Sequence, residues 1–248
     1  LAAALCTLSD IQEILGTLAQ VCRGCRAADI GEMMVDFGSL APDSPPGKKE
    51  SIYVGSDESL KGDTFGGLVV AAVLVDEDTR AHLARIGVQD SKKIANQQIP
   101  VLAEHIRRIV GFFSVYSIPP EEYNQYTQTG LMNRYHHQVA ADVIQNFQEK
   151  QGDLSKYDIV HVVDKYPGAN VGDIIETKAE SKYPEVAAAS ILAREAALAQ
   201  IRDLSGRAGF RIPLGSTHVA DALRQLKESG LDPTKFVKMH FRNVREFF

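Results

Sequence analysis

Four carboxylates stand where apolar runs give way to loops. Asp57 and Glu58 follow Ile52–Ser56, Asp164 follows Asp158–Val163, and Glu180 lies in the bridge after Ile174–Thr177. Acidic groups brought together repel one another unless a cation sits between them. All-oxygen donor sets with open positions suit Mg²⁺ or Mn²⁺. Two such ions about 3.5–4 Å apart activate a water and stabilise the leaving oxygen in phosphodiester cleavage. The Asp-Glu pair taken alone fits a solvated turn equally well. No rival nucleophile competes with the acids. The chain has no G-x-S-x-G and no Cys near a His, and Gly62–Gly67 lacks the Gly-Lys-Ser/Thr ending of a Walker loop.

The elements that must hold these acids follow from periodicity. Ile52–Ser56 and Leu68–Val75 are β-branched runs flanking a turn dense in glycine and charge, which predicts a hairpin. A polar loop, Gly87-Val-Gln-Asp-Ser-Lys-Lys93, leads to a helix capped by Asn96, with Ile99, Leu102, Ala103, Ile106 and Ile109 on one face and Pro100 in its first turn. Gly111–Ile118 reads as a third strand, followed by a helix bearing Leu131, Tyr135, Val139, Val143 and Phe147. Asp158–Val163 and Ile174–Thr177 read as the fourth and fifth strands. Val186–Leu204 is a long helix whose opening Ala187, Ala188, Ala189 and Ser190 let it lie close on a sheet. A last helix spans Val219–Ser229 and ends at Gly230, a left-handed cap position. His136, His137 and His240 read as packing or surface residues. This order predicts a mixed α/β sheet covered on its faces, with a helical C-terminal extension.

Upstream, residues 1–40 read as a helical segment and residues 41–50, rich in Pro, Gly and charge, as a linker to a domain over 51–248. Cys22-Arg-Gly-Cys25 has metal-pair spacing, but only Cys6 is nearby and no His precedes His82, so the three thiols read as incidental. The odd cysteine count, with no secretory signal, points to a reducing cytoplasm. Residue 1 is Leu rather than Met, which leaves an earlier start open. At 248 residues, 44% hydrophobic, no run reaches the ~18 apolar residues of a membrane helix. A net charge of -5 argues against a nucleic-acid partner. Locally, however, Arg207, Arg211, Arg224, Lys227, Lys235, Lys238, Arg242 and Arg245 outnumber the acids of the tail, as on a backbone-contacting surface.

Five segments in order carry a family likeness. GSDESLKGDTFGGLVVAAV, GVQDSKKI, HVVDKYPGA, ETKAESKYPEVAAASILARE and KMHFRNV resemble the successive motifs of prokaryotic ribonucleases HII and HIII, with the wording closer to HIII. The resemblance spans about Ser51 to Phe248. It implies a ribonuclease H-like fold and metal-dependent endonucleolytic cutting of the RNA strand of RNA–DNA hybrids by a monomer. It further implies Asp57, Glu58, Asp164 and Glu180 as ligands of two Mg²⁺ or Mn²⁺ ions, one generating the attacking hydroxide and the other holding the departing 3′ oxygen. Lys61 and Gly62 would belong to the loop that senses the ribose 2′-hydroxyl, and Lys92, Lys178 and Lys182 would contact phosphates.

The chain departs from the family in three places. Leu60 stands where the family's loop has glycine, so a side chain is expected to project toward the minor groove at a backbone position suited to glycine. Gly67 replaces a proline and is expected to loosen its turn. Residues 1–50 are too short for the substrate-binding domain that ribonucleases HIII carry. These departures motivate an alternative, a hybrid-binding protein with impaired catalysis.

Overall fold

The computed structural model describes residues 49–86, 88 and 94–248. The expected helical segment, most of the expected linker, all three cysteines and Lys92 lie outside the described residues. Lys49–Phe248 forms one compact unit. The five strands are β1 (Glu50–Ser59), β2 (Leu68–Asp76), β3 (Phe112–Ile118), β4 (Tyr157–Asp164) and β5 (Ile174–Glu176). They line up in the order β3-β2-β1-β4-β5. β1 and β2 pair antiparallel as a hairpin, β3 adds antiparallel to β2, and β4 and β5 run parallel to β1.

The helices are α1 (Glu77–Arg85), α2 (Ile99–Val110), α3 (Pro120–Tyr123), α4 (Gln128–Gln151), α5 (Pro184–Ala208), α6 (Ala220–Glu228) and α7 (Arg242–Arg245). β2 is a continuous apolar run because both of its faces are covered. Val69, Ala71, Val73 and Val75 meet the α5 side, with Ala187, Ala188, Ile191 and Leu192. Leu68, Val70, Ala72 and Leu74 meet the α4 side, with Leu131, Tyr135, Val139 and Val143. The alanine run at the start of α5 is buried, as its packing role requires. At Gly55 a Cβ would come within 2.4 Å of the Glu185 carbonyl carbon, so only glycine lets α5 lie directly on β1.

Two local expectations need correction. Asn96 does not cap α2: the helix starts at Ile99 after Gln98, with Pro100 in its first turn, and the Asn96 Oδ1 accepts from Arg194 instead. The sequence reading also passed over α1, whose N-cap Asp76 accepts from the Thr79 N–H at 2.7 Å. Among the described residues, no helix is long and apolar enough to cross a membrane.

Candidate active site

The parallel pair β1–β4 sets the site. Ser56 is registered opposite Val163, so Asp57 and Asp164 stand one step further on, at the carboxyl ends of neighbouring strands. Ligands of α/β sheets gather outside such ends. Because strand side chains alternate, Asp57 turns to the α5 face and Glu58 to the α4 face. Their partners follow suit: the Ser190 hydroxyl of α5 bonds Asp57, and His136 Nε2 of α4 lies 3.1 Å from Glu58 Oε2.

Glu180 arrives from the other side. After β5, Lys178 adopts a left-handed conformation (φ 58) and opens the short turn Ala179–Ser181. The Ala179 N–H donates to Asp164 Oδ1 at 3.0 Å, which ties the turn carrying Glu180 to the end of β4. Glu180 Oε2 is buried without a hydrogen-bond partner.

The electrostatics are those of crowded acids. Burial pushes the Asp57 carboxyl well above the usual range, and the neighbouring Glu58 and Asp164 charges add to it, against the Ser190 hydroxyl and the Glu58 N–H. Burial also opposes the Glu58 charge, but His136 and Lys61 outweigh it and bring Glu58 down to about 2. Lys61 forms an ion pair with Glu58. Burial works against the Lys61 ammonium, yet Glu58, Asp57 and Asp164 hold it above its ordinary value.

Behind Glu58 a hydrogen-bonded chain runs into the protein. Ser56 Oγ lies 2.8 Å from both His136 Nδ1 and His161 Nε2. Burial, with His136 next in effect, lowers His161 to about 4, so it stays neutral near pH 7. Ser56 has one proton to give. It therefore donates to one of the two imidazoles and accepts from the other.

The donor chemistry fits hard divalent cations: Asp57, Glu58 and Asp164 crowd together at one sheet end, with Asp57 destabilised by its neighbours, and the adjoining turn carries Glu180 with an unpartnered buried oxygen. Among the described residues no three acid, imidazole or thiol groups already enclose a single metal position. The arrangement is thus Asp57, Glu58 and Asp164 gathered around the Lys61 ammonium rather than a closed cage.

The residues expected on the substrate side are placed unevenly. Lys61 is engaged by Glu58, while a Cβ on Gly62 would meet nothing within 4 Å, leaving that backbone open to approach. Lys178 is exposed; Lys182 is exposed but paired with Glu176. Leu60 does sit at positive φ (66). Its side chain, however, is 3% exposed and packed in the core instead of projecting outward. Gly67 does not loosen its turn. Its N–H donates to Gln200 Oε1 at 2.8 Å, and Gln200 Nε2 donates in turn to Ile118 O. The tail is less of a basic surface than its sequence suggests: Arg224 and Arg242 pair with Asp221 and Glu246, and Lys238 is buried.

Sequence reasoning missed His136 and Ser190 as neighbours of the acids. His136 sits between Met132 and Val139 on the buried stripe of α4, and Ser190 closes an otherwise apolar Ala run. Polar residues on buried faces were the available signal. His137 and His240 are exposed, and His240 stacks on Tyr123.

The family model described as Ribonuclease HII matches residues 54–244. The chain belongs to the ribonuclease HII family. As a member, it is an enzyme of the ribonuclease H class. It is 32% identical to the ribonuclease HIII of Limosilactobacillus fermentum, across 82% of this chain and 71% of that protein. It is 34% identical to the ribonuclease HIII of Mycoplasma pneumoniae, across 78% of this chain and 93% of that protein. The solved structure of Bst-RNase HIII in complex with Mn²⁺ superposes with a TM-score of 0.68 at 23% identity, covering 89% of this chain and 80% of that one, a likeness of fold.

Proposed function

We propose that the chain is a metal-dependent endoribonuclease that hydrolyses the RNA strand of RNA–DNA hybrids, with Asp57, Glu58, Asp164 and Glu180 holding two Mg²⁺ or Mn²⁺ ions. One observation carries the reading: Asp57 and Glu58 of β1 crowd Asp164 of β4 at one sheet end, and Asp164 is bonded to the turn that carries Glu180, whose Oε2 is buried and unpartnered. Membership of the ribonuclease HII family supports it. Divalent cations bound there would supply Lewis-acid activation of a water and countercharge for the departing 3′ oxygen.

The remaining contributions belong to the protein. The Ser190 hydroxyl and the Ala179 N–H orient Asp57 and Asp164. His136 holds Glu58 ionised and aimed. Lys61 balances the acids and is the group a cation would displace toward substrate phosphate. The open backbone at Gly62 accepts the ribose edge, where the 2′-hydroxyl distinguishes RNA from DNA. Lys178, and Lys182 once freed from Glu176, reach phosphates, as would Lys92. All these groups come from one chain, which suits a monomer. The buried Leu60 side chain does not obstruct the loop, which favours turnover over hybrid binding alone.

The test is a labelled RNA–DNA hybrid incubated with Mg²⁺ or Mn²⁺, beside EDTA controls and an all-DNA duplex. Cation-dependent cutting of the RNA strand is expected, and its loss in Asp57→Asn. Retention without cutting would replace the reading by the hybrid-binding alternative, and cutting of the DNA duplex would overturn the substrate assignment.

A further inference from the structure

The end of the chain forms the floor of the loop that follows β1. The Gly66 N–H donates to Phe236 O at 2.9 Å, and the Lys238 N–H donates to Thr64 O at 3.1 Å. Phe65 and Val237 form an antiparallel bridge between those contacts. Asn243 Nδ2 adds a bond to Thr64 Oγ1 at 2.7 Å. At the centre lies the Lys238 side chain, fully buried. Its Nζ donates to Asp63 O at 2.6 Å and to Gly66 O at 3.0 Å, and it faces the rings of Tyr123 and Phe241 at 5.1 and 5.4 Å.

We propose that Lys238 is a positioning residue for substrate recognition: by fixing the Asp63 and Gly66 carbonyls it holds the Lys61–Gly62 backbone in the pose that meets the ribose. The inference rests on the hybrid-cleaving function proposed above. Its physical warrant is the mismatch between the residue and a mere filling role. A buried amine is costly unless its donors are used, and a methionine would occupy similar volume without that cost. Among the described residues Lys238 forms no ion pair; Asp63 is the carboxylate that acts on it, and burial lowers it to about 7. Local rules are broken in this way where function demands it.

Both donor bonds go to carbonyls of the same loop, on either side of the anchored Phe65. A neutral amine keeps two N–H groups, enough for both carbonyls, so the brace holds on both sides of the Lys238 titration. It therefore acts through geometry. The other titratable groups beside it, Tyr123 and His240, do not enter the brace.

Lys238→Met keeps the stem and removes the donors. Steady-state kinetics on labelled hybrid, thermal melting, and hydrogen exchange of a peptide spanning residues 60–67 separate the possibilities. KM should rise about tenfold, the worth of one net hydrogen bond, while kcat stays within about twofold. Exchange in the loop should quicken by more than the accompanying fall in melting temperature accounts for. An unchanged KM or unchanged loop exchange in the folded variant overturns the proposal, as does a fall in kcat at constant KM. If Lys238→Met does not fold, Asn243→Ala decides on the same readouts, with a smaller rise in KM expected and an unchanged loop refuting it. Should the native chain fail to cut the hybrid, the functional reading fails, whereas loop exchange still decides whether the brace exists.

Discussion

Replacing Leu60 by glycine sets two structural facts against each other. The residue sits at φ 66, a conformation that costs a non-glycine residue about 1–2 kcal/mol. Glycine would relieve that strain. The same side chain is only 3% exposed, packed in the core beneath α5, and a Cβ on Gly66 would stand 2.9 Å from Leu60 Cδ1. Truncating a buried leucine costs about 2.7–5.0 kcal/mol, and glycine adds about 0.5–1 kcal/mol through the freedom it gives the unfolded chain. Packing wins. Leu60→Gly should therefore destabilise the protein by about 2–4 kcal/mol, although it restores the residue type of the family's loop. Leu60→Ala should be worse still, because it loses the packing and keeps the strain. Urea unfolding reads this directly, as a lower midpoint at unchanged slope. A Leu60→Gly variant as stable as the native chain would show that the side chain contributes nothing to the core, and the reasoning would fail.

Three further outcomes follow from the site and its surroundings. Asp57→Asn in metal-free protein should match or exceed the native stability at neutral pH. Burial and the Glu58 and Asp164 charges raise the Asp57 carboxyl, so its ionisation works against folding as pH rises through the folded value; thermal melts in EDTA check this, and a large loss would refute it. Gly67→Pro should cost about 3 kcal/mol or more, because it removes the donor to Gln200 and places a Cβ 2.1 Å from Ile118 O; a melting curve unchanged by the substitution would contradict that geometry. Acid should weaken the fold through His161, whose burial holds it near 4 against an ordinary 6.5. The stability it preserves is intact above about pH 6.5 and falls by up to about 3 kcal/mol as pH drops toward 4. His161→Gln should lose that slope in a pH series of melts.

Strand and helix identities were legible because each long element carries a clear period. β2 is unbroken apolar sequence, α4 repeats Leu131, Tyr135, Val139 and Val143, and α5 opens on alanines. All three are where that pattern placed them. Boundaries set by a single polar side chain were less legible. Asn96 is as good a cap by type as any, but Arg194 on α5, 98 positions away, takes its oxygen. Leu60 misled for a related reason. Sequence shows that a leucine occupies a glycine-like position, but the direction of its side chain depends on Gly66 leaving room for it. The crowding of Asp57, Glu58 and Asp164 was suggested by their positions at run ends, and the histidine and serine that touch two of them were not.

That last omission has a structural logic. Two adjacent acids at the end of a strand cannot share a face, since alternation sends them to opposite sides of the sheet. Each then needs its own polar support from the layer it enters, and both layers are mostly apolar. His136 is fully buried on α4 and Ser190 nearly so on α5, the two sides of the same sheet end. A polar residue on a buried helical stripe, one for each face, is therefore what an Asp-Glu strand terminus demands. Replacing Glu58 with an apolar residue would strip His136 Nε2 of its carboxylate partner. The acids and the histidine–serine pair form one interdependent unit, assembled from three elements spread over more than 130 residues of chain.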